Sequence, residues 1–125
     1  MTMRRIIRSI TTDASGDATD LTPITAGRVH AVYYRKNALT PYAAGVDFNI
    51  TNATTGETIW QESNVNASAV RYPRVPTHTS TGVAATFDGT RPVLDYPALA
   101  RDQIQIVVSS GGDTKDGIFV FAIDG

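Results

Sequence analysis

The sequence predicts an all-β domain, an antiparallel β-sandwich or barrel of jelly-roll-like type with long ordered loops, on three observations. Residues 46–51 (VDFNIT) alternate apolar and polar side chains with a period of two, the pattern of a half-buried strand. No window of about 11 residues combines polar and apolar positions at the 3.6-residue helical period. Short runs of β-branched and aromatic residues are separated by clusters of Gly, Pro, Asn, Asp, Ser and Thr, the punctuation of many short strands.

The chain opens on MRRIIRSI, so residues 1–26 read as an edge strand or as an arm that reaches a neighbour. Arg4 and Arg5 suit an exposed margin, because charge on an edge discourages unwanted strand pairing. Residues 11–26 are small, polar and turn-rich. Residues 27–36 (GRVHAVYYRK) form a strand bounded by Gly27 and the turn at 37–41. Residues 46–62 make a hairpin: Val46, Phe48 and Ile50 share one face, and Gly56 takes the left-handed conformation that a bulged turn demands.

Residues 62–102 stand apart. They hold four of the six prolines, at positions 73, 76, 92 and 97, and a connection of this length inside a compact domain is commonly functional. Val70, Tyr72, Val75, Val83, Phe87, Leu94 and Tyr96 are scattered through it, which is not the composition of a flexible linker. The segment is therefore expected to be ordered by contact, partly with its own domain and partly with other chains. Near its end ALARD (98–102) admits at most one helical turn. Residues 103–109 (QIQIVVS) form a strand with Ile104, Ile106 and Val108 inward, and residues 117–123 (GIFVFAI) are apolar on both faces. That last strand is expected to be covered on both sides, by a second sheet and by a neighbouring subunit. Between the two lies SSGGDTKDG (109–117), whose glycines and lysine suggest a phosphate-binding loop. The Walker motif requires G-x-x-x-x-G-K-[ST] between a strand and a helix. Here the spacing differs, no hydroxyl follows Lys115 and a strand comes next, so the segment reads as a hairpin connection.

With 125 residues the chain is one domain, residues 1–125, and 42% apolar residues suffice for a single core. Only 18% of residues are charged, light for a surface that meets water everywhere, which suggests that part of it meets protein. The net charge of -1, without long acidic or basic blocks, argues against binding along nucleic acid or an anionic membrane. There are no cysteines, hence no disulfides, thiolate metal sites or cysteine nucleophiles, as fits synthesis in a reducing cytoplasm. The N-terminal residues lack the apolar run of a secretory signal, so export by the general route is not expected.

The residue types of catalysis are sparse. His30 and His78 are the only histidines and have no ligand-like spacing with the aspartates. Asp13, Asp17 and Asp20 do not follow the calcium-loop pattern. No G-x-S-x-G elbow is present, and the only glutamates, Glu57 and Glu62, read as solvent-facing. No enzyme activity, metal or cofactor is expected. Trp60, Tyr33, Tyr34, Tyr42, Tyr72 and Tyr96 serve either packing or the stacking of sugars. The candidate partner-binding residues are Arg71, Tyr72 and Arg74, in VRYPRVP, together with Arg4 and Arg5. Arginine and tyrosine are common interface anchors, and Pro73 and Pro76 lower the entropy lost on docking.

Residues 27–125 carry a GVDF strand, a TTGE turn, an IW pair, NVNAS, YPR, TH and a GGDTKDG turn. In this run the chain resembles small proteins encoded among the head genes of tailed bacteriophages. The resemblance implies a non-enzymatic virion structural protein, made in the host cytoplasm. It would bind the outer surface of the major capsid protein as a decoration or cement protein that stabilises the head. Self-association is implied as well, most simply as a trimer at a local three-fold axis. The alternatives are a head–tail connector or tail-joining ring protein, and a carbohydrate-binding β-sandwich for host attachment.

Overall fold

The computed structural model describes residues 2–125, which form eleven strands. These are β1 (Met3–Thr11), β2 (Ala18–Leu21), β3 (Thr25–Lys36), β4 (Asp47–Asn52), β5 (Thr58–Glu62), β6 (Ala69–Arg71), β7 (Val75–Pro76), β8 (Leu94–Asp95), β9 (Ala98–Asp102), β10 (Ile104–Ser109) and β11 (Asp116–Asp124). A five-stranded sheet runs β1-β11-β3-β6, with β9 also paired to β3, and a four-stranded sheet runs β2-β10-β4-β5. All of these pairings are antiparallel. If β7, β8 and β9 are set aside, the chain alternates between the two sheets except at the β4–β5 hairpin. This order is the jelly-roll topology, and it places the loops in two groups at opposite ends of the sandwich.

The alternation read from the sequence explains which faces meet. Phe48 and Ile50 of β4, and Ile104, Ile106 and Val108 of β10, are all at most 1% exposed. They pack against Val29, Val32 and Tyr34 of β3 and Phe119, Phe121 and Ile123 of β11 in one core. Phe48 is its aromatic centre, with ring centroids at 4.7 Å from Tyr34, 4.9 Å from Phe119 and 5.5 Å from Trp60, all edge-on, the geometry that aromatic quadrupoles favour. Tyr42 closes one end of this core and donates its hydroxyl to the Ile10 carbonyl at 2.7 Å. Gly56 has φ +77°, the left-handed value the β4–β5 turn requires.

The two lateral margins of the sandwich are each fastened by an arginine–carboxylate fork. Arg8 of β1 reaches Asp20 of β2 through two bonds of 2.7 and 2.9 Å. On the opposite margin Arg71 of β6 reaches Glu62 of β5 at 2.8 and 2.9 Å. β1 is an outer strand of its sheet, and in both forks the guanidinium comes from one sheet and the carboxylate from the other.

Two local expectations are corrected. Residues 98–102 form β9 rather than a helical turn, because pairing with the free margin of β3 at Thr25–Arg28 outweighs the local helix preference of Ala and Leu. Residues 110–115 do not close a hairpin, since β10 and β11 lie in different sheets. They cross from one sheet to the other, tied down by Gly111 N–H to the Gly16 carbonyl at 2.8 Å and Ala43 N–H to the Gly111 carbonyl at 2.8 Å. The second sheet covers the inner face of β11: Phe119 and Phe121 are fully buried, whereas Ile118 and Val120 of its outer face are half-buried within the single chain.

Residues 62–102 hold four short strands and an arm. β7 pairs with β8 at the base of the arm, and beyond it the chain makes two small turns. At the root of these turns Thr77 N–H donates to the Val93 carbonyl, Val93 N–H to that of Ala85, and Ala85 N–H to that of Thr77, each at 3.0 Å. This three-way junction, with the Thr77 hydroxyl donating to the Val93 carbonyl at 2.7 Å, holds the arm by hydrogen bonds, for no residue from 75 to 95 is fully buried.

Candidate protein interface

The side chains with the chemistry of an interface gather on the outer face of the five-stranded sheet. β3 contributes Arg28 and His30. A register shift between Ala122 and Ile123 pairs Ala31 with Ala122 and Val29 with Ile123, which leaves His30 as the extra residue of a bulge. The chain leaving β6 supplies Tyr72 and Arg74, and the turn after β8 supplies Tyr96. The His30 ring lies edge-on to Tyr72, with centroids 5.9 Å apart, and stacks on Tyr96 at 5.6 Å. The Arg74 guanidinium sits 4.0 Å from the Tyr96 centroid and that of Arg28 sits 5.8 Å from it. Each such cation–π contact contributes about 0.5–1 kcal/mol at an exposed site, enough to hold the guanidinium groups in place.

Charge balance gives this cluster its character. The ion pairs among the described residues are Arg8–Asp20, Arg71–Glu62 and Arg91–Asp88. Arg28 and Arg74 therefore keep their charge unneutralised, beside a Tyr72 ring that is 59% exposed. Planar donors next to open aromatic faces suit a surface that is part acidic and part apolar.

The five residues singled out in the sequence separate in space. Tyr72 and Arg74 belong to the cluster. Arg71, next to them in sequence, points to the sandwich margin, where its guanidinium is held by Glu62 and lies 5.6 Å from the Trp60 ring. Glu62 is therefore not simply solvent-facing. The bonds from Arg71, then that from Trp60 Nε1 at 3.0 Å, hold its carboxyl below the ordinary range. Arg4 donates to the backbone carbonyls of Ala26 and Gly125, and Arg4 and Arg5 both line a groove on the same outer face. Sequence reasoning missed Arg28, His30 and Tyr96. The alternation in RVHAV signalled that Arg28 and His30 flank the inward Val29, but nothing local linked them to Tyr96.

The groove has a volume of about 980 Å³, and its walls include Arg4, Arg5, Tyr33, Arg35, Val70 and Val120. Its floor follows from the register: Val120 stands opposite Tyr33 and Tyr33 opposite Val70, and Ile7, opposite Val120, continues the row beyond the groove. Directly opposed residues share a face. These four form one apolar row across four strands, with Ile7 63% and Val70 43% exposed. Among the described residues no carboxylate lines the groove.

Of the aromatics weighed for sugar stacking, Trp60, Tyr34 and Tyr42 are buried in the core, and Tyr33, Tyr72 and Tyr96 remain at the surface. His30 and His78 do not converge, and among the described residues no three His, Cys, Asp or Glu side chains are grouped as metal ligands would be.

No protein-family model and no curated protein matches the chain. Among solved structures it is similar to one described as the crystal structure of FLHE, at 10% identity and a TM-score of 0.49 over 100% of both chains. A likeness of that degree bears on no question of function.

Proposed function

We propose that this chain is a non-enzymatic structural protein of a tailed-phage virion, which binds the outer surface of the head and stabilises it. The observation that carries the reading is the cluster of Tyr72, Arg74, His30, Tyr96 and Arg28 on an uncovered sheet face, rich in interface-forming groups and without a carboxylate partner for its guanidinium charges. The run of sequence features shared with head-gene proteins supplies the partner: the major capsid protein. Binding across neighbouring capsid subunits favours the assembled shell by mass action, because the protein binds the shell and not its separated parts.

Cosedimentation of purified protein with heads that lack it tests this reading. Wild-type protein is expected to saturate the heads and raise their temperature of disruption. Tyr72→Ala with Arg74→Ala is expected to weaken binding at least about tenfold, the loss of one moderate hot spot. Undiminished binding by that double variant overturns the site, and absence of wild-type binding overturns the function. Binding confined to one vertex indicates a connector, and competition by soluble acidic glycans indicates host attachment through the exposed Tyr72 face.

A further inference from the structure

The arm and the groove pose complementary problems. The arm fully buries no side chain from residue 75 to 95. Ordering a backbone costs about 1–2 kcal/mol per residue, and here only the half-burial of Val75, Ala85 and Val93 within the chain offsets it. The arm nevertheless displays Val83 at 62%, Phe87 at 75% and Leu94 at 50% exposure. The groove displays the reciprocal deficit, an apolar floor of Val120, Tyr33 and Val70 that is only partly covered within the chain, continued by the exposed Ile7.

Their charges are also complementary. Among the described residues, the groove is lined by Arg4, Arg5 and Arg35 and by no carboxylate. The arm carries Asp88 beside Phe87, in a loose and exposed pair with Arg91 at 3.5 Å, and Asp95 beside Leu94, so its formal charge is net negative. A segment with apolar side chains next to carboxylates is the chemistry such a groove accepts.

We infer that the groove is occupied by the arm of a second copy of this chain, with Phe87 on the Val120–Tyr33–Val70 floor and Asp88 at the arginine rim. Arm and groove are different surfaces, so the contact is head-to-tail and leaves the pair with a free groove on one copy and a free arm on the other. Such contacts close into a ring where the rotation permits. The proposal concerns the purified chain alone and stands apart from the identity of any capsid partner.

Sedimentation velocity over a concentration series tests it. Wild-type protein is expected to form a closed oligomer, whereas Phe87→Asp, on the arm, and Arg5→Glu, on the groove rim, are each expected to remain monomeric with unchanged circular dichroism. Mixing the two variants is the decisive step. The Arg5→Glu protein keeps a sound arm and the Phe87→Asp protein a sound groove, so the mixture is expected to give one-to-one heterodimers that grow no further. A wild-type monomer at all concentrations overturns the proposal, as does a Phe87→Asp protein that assembles like wild type. Variants that fail to pair on mixing also overturn it. Should Phe87→Asp misfold, Phe87→Ser makes the same deletion without a charge.

Discussion

Arg71, Tyr72 and Arg74 show how far residue chemistry could be read before the structure. Their types mark an interface, and the period of two in a strand separates the direction of Arg71 from that of Tyr72. Legibility ended with the partners: Glu62, which holds Arg71, and Tyr96, which holds Arg74, lie on elements that only the fold brings near. Arg71→Ala removes a fork whose side chains are 41% and 37% exposed, so the expected cost is at most about 1 kcal/mol in urea unfolding. Phe48→Ala opens the aromatic centre of the core and is expected to cost about 3–5 kcal/mol. Acid acts on both forks. Hydrogen bonds from Arg8 lower Asp20 as those from Arg71 lower Glu62, so each carboxyl holds its proton less tightly in the folded state. A lowered folded value means that the stabilisation is complete above the ordinary values of 3.8 and 4.5 and is lost as pH falls through the folded ones. The urea midpoint is expected to stay level near neutrality and decline below about pH 4, with a shallower decline in Glu62→Gln.

Among the elements, the strands with clean alternation, β4 and β10, were legible because burial on one face is written directly into a period of two. β9 and the β10–β11 crossover were not. Whether ALARD becomes strand or helix depends on the free margin of β3, and whether GGDTKDG turns back or crosses over depends on which sheet β11 joins. Within β11, Gly117 is fixed by packing: a Cβ there would lie 2.8 Å from Cζ of Tyr42 and 3.0 Å from Cε1 of Tyr34. Gly117→Ala is expected to destabilise by about 1–3 kcal/mol through this overpacking, as thermal unfolding would register. The arm gives the opposite expectation. Pro76 and Leu94 stand directly opposite each other, so an Asn-Gly turn can join them in place of residues 77–93. Because no residue of the arm is fully buried, that deletion is expected to leave the melting temperature almost unchanged while self-association is lost.

For the whole molecule, the jelly-roll order gives the sandwich a polarity. One end gathers the loops around Gly16, Gly111 and Ala43 into a bonded cap, and the opposite end extends the arm. The fold class was visible in the sequence, whereas the uncovered outer face was not, because apolar residues on both faces of β11 say nothing about what lies beyond the second one. The two forks have a consequence for life in a crowd. Wherever many copies stand side by side, open strand margins invite neighbours to add strands without limit, the first step towards fibres. Here β1 carries Arg4, Arg5 and Arg8 along its margin, and on the other side the short β6 is tied to β5 by Arg71. Ionic groups thus occupy both places where stray backbone pairing would begin, which lets copies sit at high local density without fusing into a continuous sheet.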